Sequence, residues 1–319
     1  MTLSCFPPRN SRHGNRIFAP MEQHSSRRPR QQHDTRYTVH DDCTAEAFFN
    51  HIMPGKSRTS LKQLLAKNVF SHNGKPLKRL DTLLLQGDTL TQHARPLPHF
   101  DMPPTLRIIY EDPWIVVVDK AAGLLTMATD KQSTHTAYAY VAAYLKFYNP
   151  ADKVFIVHRL DRDTSGLIVF AKSEAVQQQL QSTWNTTVHC RRYAAVVEGV
   201  PREEEATIRT NIIENPKSLK MSVCGDDQGV EAVTHYRVVK HNDCYALLDV
   251  DLLTGRKNQI RVHMQHIGHP IAGDAKYGAQ SNPAGRLCLH AYKLEFVHPQ
   301  SQKTLIFDSP TPRELAGII

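Results

Sequence analysis

Residues 154–170 read VFIVHRLDRDTSGLIVF, and this stretch is central to the predicted fold. Two short apolar runs, Val154–Val157 and Leu167–Phe170, flank a polar segment. Both runs are rich in β-branched and aromatic side chains, and Gly166 stands just before the second run. This pattern predicts two strands joined by a polar loop. The loop is therefore expected at the mouth of a buried sheet.

Asp161 is the residue of this loop with the clearest chemical use, because it stands between Arg159 and Arg162. A carboxylate between two guanidinium groups stays ionised, since nearby positive charge favours the charged form. An ionised carboxylate can act as a nucleophile but is a poor general acid. Taken alone, the pattern also fits an ordinary solvated turn that contains an ion pair.

Length, charge and cysteine content indicate the general class of protein and its kind of partner. The chain has 319 residues, enough for two domains, and a formal charge of +8 with a pI near 9.2. A basic chain favours a polyanionic partner, because Lys and Arg neutralise phosphates. The 6 cysteines are scattered and form no Cys-x-x-Cys pair, which indicates a reduced, cytoplasmic protein with free thiols. No apolar stretch is long enough to span a membrane, and no secretory signal is visible, so we expect no membrane partner.

Changes in composition divide the chain into four segments. Residues 1–35 form a basic tail with few large apolar residues, 36–95 a small module, 96–104 a proline-rich linker, and 105–319 a larger domain. The tail cannot bury enough surface to fold alone. It is either a solvated tail, which we favour, or a flexible arm that touches RNA. Met21 is as acceptable a first residue as Met1.

The module at 36–95 contains a basic helix and a hairpin. Ser57 is a suitable N-cap, and Leu61, Leu64 and Leu65 then share one helical face. Asn73-Gly74 predicts a tight turn. The order of a basic helix, a hairpin with "NGK" and a closing "GD" resembles the S4-like RNA-binding module. The alternative is a small α+β domain whose basic helix is merely solvated. The cations that the S4-like interpretation assigns to RNA are Arg58, Lys62, Lys67 and Lys75.

Further elements are predicted downstream. Residues 137–147 and a segment capped by Ser173 are helix-like, and 191–199, 231–240 and 245–252 are strand-like. Residues 203–229 are charged and broken by proline and glycine, so we expect a short strand followed by a loop. Ile260 and Met264 indicate a helix that Gly268 ends. The predicted basic side of that helix comprises Arg256, Arg261 and His263.

Four stretches resemble the RluA-type RNA pseudouridine synthases, in the family's order. They are "IIYEDPWIVVVDKAAGLL" (108–125), "HRLDRDTSGLIVFAKS" (158–173), "TGRKNQIRVHMQHIGHPIAGDAKYG" (254–278) and "RLCLHAYKLEFVHP" (286–299). The resemblance extends from about Leu106 to Pro299. It departs at Ala121, where the family usually has proline, and at Lys257-Asn258, where many members have Thr-His.

The resemblance implies an α+β fold with a mixed, mostly antiparallel central sheet, flanking helices and a cleft across its middle. It also implies isomerisation of uridine to pseudouridine in RNA without a cofactor. By resemblance, Asp161 is catalytic, either attacking the anomeric carbon or removing a sugar proton. Arg261 pairs with Asp161, Tyr193 stacks on the target base, and Arg159 occupies the space of a flipped nucleotide. Arg256 is a further expected RNA contact.

The partners follow from the same resemblance. We expect a monomer that acts on ribosomal RNA, with transfer RNA as the second choice. A catalytically silent RNA-binding or ribosome assembly protein is the alternative. His263, His266 and His269 are spaced three apart but have no Cys, Asp or Glu at a suitable spacing, so no metal is predicted. Phosphate-binding glycine motifs are also absent from the sequence.

Overall fold

A computed structural model describes residues 33–129, 134–225 and 227–319. The predicted basic tail therefore lies almost entirely outside the described residues. Within these ranges, no helix combines the length and the apolar character needed to cross a membrane.

The N-terminal part is a small α+β unit. Its strands are β1 (Thr35–Thr38), β2 (Cys43–Thr44), β3 (Phe70–His72), β4 (Lys75–Pro76), β5 (Leu83–Leu84) and β6 (Thr89–Gln92). Its helices are α1 (Ala45–Ile52) and α2 (Arg58–Ala66). The sheet order is β1-β6-β3-β4, and β2 pairs with β5 separately. The two helices and the strands enclose a core of their own, which includes Phe49, Leu61, Leu65, Phe70, Leu84 and Leu90.

Local sequence signals explain these elements. The Ser57 hydroxyl accepts a hydrogen bond from the Ser60 N–H over 3.2 Å, which confirms the predicted cap of α2. Asn73 and Gly74 join β3 to β4 with φ values of 48° and 83°. Both residue types tolerate this left-handed region, so the predicted hairpin turn is confirmed.

The larger part is built on one long sheet. Its strands are β7 (Leu106–Glu111), β8 (Ile115–Lys120), β9 (Phe155–Ile156), β10 (Ser165–Ala171), β11 (Val188–Glu198), β12 (Glu205–Glu214), β13 (Met221–Cys224), β14 (Val230–His241), β15 (Tyr245–Leu252), β16 (Leu289–Val297) and β17 (Thr304–Asp308). The helices are α3 (Ala137–Tyr148), α4 (Glu174–Ser182), α5 (Trp184–Thr187), α6 (Gln259–His266) and α7 (Arg313–Ala316), with a 3-10 helix at Ala275–Tyr277.

The strand order is β13-β12-β14-β15-β11-β16-β10-β8-β7, with β17 beside β16 and β9 beside β10. Among the described pairings in this sheet, β10 and β16 run parallel and the others are antiparallel. The predicted fold class, α+β with a mixed and mostly antiparallel sheet, is confirmed.

Strand β8 shows how the sheet is buried on both faces. Val116 and Val118 point to one face and Ile115 and Val117 to the other, as the period of two in a strand requires. Helix α3 covers the first face through Val141 and Leu145, and helix α6 joins the same cluster through Ile260 and Met264. Helix α4 covers the second face through Val176 and Leu180. Leu160 and Tyr193 belong to the first cluster, so that face carries the cleft described below.

Two local predictions were wrong. Residues 203–229 contain a ten-residue strand, β12, and a second strand, β13, instead of a short strand and a loop. Pairing with β14 and β13 supplies β12 with backbone partners on both edges, which outweighs its charged composition. His263 does not lie on a basic side of α6. It is buried, and its ring nitrogens bond to Thr234 and Thr210 at 2.8 and 3.0 Å.

The proline-rich linker contacts both parts of the chain. The Leu97 N–H donates to Asn68 O, and the Asn68 amide donates to Leu97 O, each over 2.8 Å. Phe100 packs edge-to-face against Tyr144 and Phe147 of α3. The start of the linker is therefore bound to the N-terminal part, and its later residues pack against helix α3 of the larger part.

Candidate active site

The loop that carries Asp161 joins β9 to β10 and is held on both sides of that residue. The Leu160 N–H donates to Thr126 Oγ1 over 3.2 Å, and Thr126 Oγ1 donates to Leu160 O over 2.7 Å. The Gly123 N–H donates to Arg162 O over 2.9 Å. These bonds fix the backbone and leave the Asp161 side chain free to reach into the cleft.

Lys120 is a fully buried cation that supports the same loop. Its ammonium donates to the carbonyls of Ala121, Leu124 and Arg162 at 3.0, 2.8 and 2.9 Å. Burial lowers the pKa of Lys120 to about 7, although the charge of Asp163 opposes this shift. Three carbonyl oxygens take the place of water around the ammonium, and strand β8 is thereby tied to the loop.

The backbone conformation and close packing at position 166 explain why the motif has a glycine there. Its φ is +117°, and a Cβ at this position would lie 2.2 Å from the carbonyl oxygen of Ala291. Strand β10 runs beside β16 at this point, with Gly166 opposite Ala291. Only glycine allows the two backbones to approach so closely. The start of β10, and with it the end of the Asp161 loop, is positioned by this contact.

The Asp161 carboxylate meets a guanidinium that is itself tightly bound. Arg261 donates from Nη1 to Asp161 Oδ2 over 3.2 Å. The other edge of the same guanidinium makes two bonds of 2.7 Å to Asp274. The Asp274 side chain is 1% exposed, the Arg261 side chain 12% and the Asp161 side chain 25%. The planar fork thus connects a buried carboxylate to one that is open to the cleft.

Arg261 keeps its positive charge in this setting. Burial alone would lower the pKa of its guanidinium, but hydrogen bonds and charge from Asp274, followed by those from Asp161, outweigh it and raise the pKa. The guanidinium also lies 4.9 Å from the centre of the Tyr277 ring, a cation–π distance.

Tyr193 lies on β11 and lines the same cleft, which has a volume of about 440 Å³ and is also lined by Asp161 and Arg261. The tyrosine is 9% exposed. Burial raises the pKa of its phenol to about 12, with the charge of Arg191 opposing and that of Asp161 assisting. The phenol therefore keeps its proton at neutral pH, and the structure brings together the three residues predicted to be catalytic.

Arg159 and Arg256 are exposed and also line this cleft. The Arg159 guanidinium lies 3.8 Å from the sulfur of Met127, and the Arg256 Nε donates to Glu231 O over 3.0 Å. Exposed guanidinium groups beside a cleft are well placed to meet phosphates.

The cations predicted in the N-terminal part lie elsewhere. Arg58, Lys62 and Lys67 are exposed on or next to α2, and none of them lines the cleft. Lys75 differs from the prediction, because its ammonium is bound to the carboxylates of Glu111 and Asp152. Its position in the hairpin turns it towards the central sheet instead of towards solvent, so it is not available as an RNA contact.

Comparison of the sequence with known proteins identifies the family of this chain. Residues 114–266 match the family model for RNA pseudouridylate synthases. The ribosomal large subunit pseudouridine synthase D of Neisseria meningitidis serogroup A is 33% identical over 291 residues, which cover 86% of this chain and 77% of that protein. The chain belongs to the RNA pseudouridine synthase family. The uncharacterized RNA pseudouridine synthase YlyB of Bacillus subtilis is also 33% identical, over 82% of this chain and 88% of its own.

Solved structures agree with the fold of this synthase. The human RNA pseudouridylate synthase domain containing 1 superposes with a TM-score of 0.54 and 25% identity, over 68% of this chain and 87% of that chain. The human RNA pseudouridylate synthase domain containing 4 gives a TM-score of 0.55 at 23% identity, over 66% and 90% of the two chains. The family resemblance read from the sequence is confirmed.

Three polar residues of the synthase's site were not singled out from the sequence. Arg191 lines the cleft and stands two residues before Tyr193 on β11, so the period of two in a strand was a usable signal. In the sequence, Asn258 is conspicuous only as a departure from the family pattern, yet in the structure it donates to Asp161 Oδ2. Asp274 follows Arg261 by 13 residues, and no local rule pairs them.

Proposed function

We propose that this synthase isomerises uridine to pseudouridine in the RNA of the large ribosomal subunit, with Asp161 as the reacting carboxylate. The name of the relative in Neisseria meningitidis, a ribosomal large subunit pseudouridine synthase, supports ribosomal RNA as the target. Transfer RNA is the second candidate.

The observation that carries the proposal is the unequal binding of the two Asp161 oxygens. Oδ2 accepts hydrogen bonds from Arg261 Nη1 and Asn258 Nδ2. Among the described residues, no protein group donates to Oδ1. One oxygen is therefore held by the protein while the other is open for a substrate in the cleft. A reacting group needs this combination of fixed orientation and access.

The residues suit an isomerisation that retains the base. The bond between C1′ and N1 breaks, and its electron pair leaves with the uracil. The uracil rotates, C5 bonds to C1′, the C5 proton is lost and N1 gains a proton. Asp161 either attacks C1′ or removes a sugar proton to give a glycal. The first route resembles glycosidase chemistry, except that the base returns where water would add. Neither route requires an oxidant, a reductant or a cofactor.

The remaining residues have supporting roles in this proposal. Arg261 orients Asp161, Tyr193 stacks on the uracil, and Arg159 occupies the space left by the flipped nucleotide. Flipping is needed because a stacked base hides its glycosidic carbon. Arg256 contacts a phosphate near the cleft. One chain contributes Asp161, Tyr193 and Arg261, so the protein is proposed to act as a monomer.

Residues 36–95 are proposed to form a separate S4-like RNA-binding module, joined by the linker at 96–104 to the catalytic domain at 105–319. Its support is a core of its own and a basic helix surface. The Arg58 guanidinium is 63% exposed even though it lies 3.3 Å from Glu46. Exposed cations of this kind add affinity through phosphate contacts without specifying sequence.

Tritium release from ribosomal RNA labelled at uracil C5 tests the activity, because the reaction frees that hydrogen. Asp161→Asn should release tritium only at background, since an amide replaces neither a nucleophile nor a base. Asp163→Asn is the matched control: Asp163 is 43% exposed and pairs with Arg162, so measurable release should remain. An active Asp161→Asn with an inactive Asp163→Asn would identify Asp163 as the reacting residue instead.

The target is tested by mapping pseudouridines in total RNA from cells with and without the gene. Loss of a site in large-subunit ribosomal RNA supports the proposal, and loss confined to transfer RNA supports the second candidate. An unchanged map, together with no tritium release by purified protein that still binds RNA, would favour the catalytically silent assembly factor.

A further inference from the structure

Asn258 occupies the residue just before helix α6, but its side chain does not cap the helix. An asparagine at an N-cap normally accepts a hydrogen bond from the second or third helical N–H. Here the residue is left-handed, with φ 54° and ψ 21°, and its side chain makes no capping bond. The amide instead donates from Nδ2 to Asp161 Oδ2 over 2.5 Å, across 97 positions in the chain. Capping of helix α6 is therefore not the role of the Asn258 side chain.

A buried tyrosine determines which way the Asn258 amide points. Tyr277 is fully buried, and its hydroxyl oxygen accepts a bond from the Met221 N–H over 3.1 Å. The hydroxyl proton is then free to donate to Asn258 Oδ1, 3.3 Å away. The opposite end of the amide must be NH₂, and it faces a carboxylate that can only accept. Both ends of the amide therefore require the same orientation.

We propose that Asn258 is a positioning residue that holds Asp161 Oδ2 so that Oδ1 remains the reacting oxygen. The proposal rests on the catalytic role of Asp161 proposed above. Arg261 supplies one hydrogen bond to Asp161, and a single bond leaves the carboxylate free to rotate about its Cβ–Cγ bond. A second donor on the same oxygen restricts that rotation. Tyr277 is the group that keeps the second donor correctly oriented.

The chain of contacts from Met221 through Tyr277 and Asn258 to Asp161 joins four separate elements. Met221 begins β13, Tyr277 ends the 3-10 helix, Asn258 precedes α6 and Asp161 lies in the loop before β10. The segment that holds Tyr277 also holds Asp274, the partner of Arg261. One segment of the chain therefore orients both donors to Asp161.

The first experiment removes the side chain without straining the backbone. Asn258→Gly suits a left-handed φ, so a loss of activity reports the missing amide. Single-turnover pseudouridine formation on bound RNA should fall roughly 10- to 100-fold, as for a reacting group no longer held in place. RNA affinity should stay within about 2-fold, because phosphate contacts supply most of it. Asn258→His should recover most of the rate, since histidine can donate from its ring and tolerates this backbone region.

The second experiment changes the donor to an acceptor. Asn258→Asp replaces the donor with a carboxylate beside Asp161, and because like charges repel, such a pair keeps one proton to a higher pH than a single carboxylate does. The rate of this variant relative to the native protein should therefore rise as the pair loses that proton, between about pH 4.5 and pH 7. The surrounding groups are Arg261, Asp274, Tyr277, Tyr193 and Lys120. The pKa values of Arg261 and both tyrosines are raised, so these groups keep their protons. Burial lowers the pKa of Lys120 to about 7 in the native protein, so the titration of Lys120 already contributes to the native pH profile.

Tyr277→Phe tests the orientation of the amide. It should lower the single-turnover rate by roughly 3- to 10-fold, less than Asn258→Gly, because the amide remains but is free to flip. Tyr292→Phe is the matched control. It also removes a half-buried tyrosine's hydroxyl group, but that hydroxyl donates to Asp249 over 2.9 Å and not to Asn258. The control should retain the native rate.

The outcomes separate this inference from the proposed function. If Asp161→Asn is inactive while Asn258→Gly reacts at the native rate, Asn258 positions nothing and the inference fails alone. If the rate of Asn258→Asp follows the native pH profile, the inference about Asn258 likewise fails, while the catalytic role of Asp161 is unaffected. If Asp161→Asn itself remains active, the proposed catalytic role fails first.

Discussion

The ammonium of Lys75 donates a hydrogen bond to the carboxylate of Glu111, with 3.2 Å between Nζ and Oε1. Strand β4 carries Lys75 and strand β7 carries Glu111, so this bond joins the N-terminal sheet to the central sheet. Asp152 also accepts from Lys75, and Lys172 donates to Glu111 over 2.9 Å. These four side chains, here called the interface ion cluster, are only 11–18% exposed. Hairpin 70–76 is therefore fixed against the catalytic part.

Removing one cation from the interface ion cluster should destabilise the protein. Lys75→Met leaves Asp152 and Glu111 short of a positive partner in a poorly solvated place. We expect the free energy of unfolding to fall by about 1–3 kcal/mol, measured by urea denaturation. Lys146→Met on the exposed side of α3 is the control and should change it by less than about 0.5 kcal/mol. Equal effects of the two variants would show that the cluster contributes no stability.

The cations of α2 should determine part of the salt dependence of RNA binding. Replacing Arg58, Lys62 and Lys67 with Gln should weaken binding and reduce the slope of log affinity against log salt by roughly 0.7–0.9 per lost phosphate contact. The single-turnover rate at saturating RNA should remain close to native, because none of the three lines the cleft. An unchanged salt slope would mean that this helix does not contact RNA.

Arg261 should be needed for turnover far more than for RNA binding. Arg261→Met removes a donor to Asp161 and leaves the buried Asp274 charge without its partner, so turnover should approach background. Arg261→Lys keeps the charge but loses the planar fork, and a small fraction of activity should remain. Arg209→Met, in which the lost arginine is exposed and paired with Glu231, is the control. Thermal melting must show that the variants fold, and normal turnover by a folded Arg261→Met would refute its role.

His158 should make the fold sensitive to mild acid. Its Nε2 accepts from the Val169 N–H over 3.1 Å, and burial, helped by the charge of Arg191, lowers its pKa to about 3. In the unfolded chain His158 binds a proton near pH 6.5, whereas in the folded chain it stays neutral to a much lower pH. The free energy of unfolding therefore decreases as the pH falls from about 6.5 towards 3. His158→Gln should flatten this dependence between about pH 7.5 and pH 5 in urea denaturation. The exposed His241→Gln is the control, and an unchanged slope in His158→Gln would contradict the assignment.

Elements specified by neighbouring residues could be predicted from the sequence. Ser57 and Ser173 each accept a bond from the N–H three residues later, as predicted for helix caps. Gly268 ends α6 at a φ of 84°. The motif around Asp161 could also be recognised, because the loop and both flanking strands lie within 17 consecutive residues. Each of these features depends on backbone conformation or side-chain pattern over a few positions.

The tertiary structure decided the features that depend on distant partners. Strands β12 and β13 form because neighbouring strands complete their hydrogen bonds, which a charged local sequence does not reveal. Lys75 and Asn258 both carry polar groups that suit several partners. Folding selects Glu111 for the first, 36 residues away, and Asp161 for the second, 97 residues away. Hydrogen bonds act over about 3 Å, so the residue type sets what a side chain can bind and only the folded chain sets what it meets.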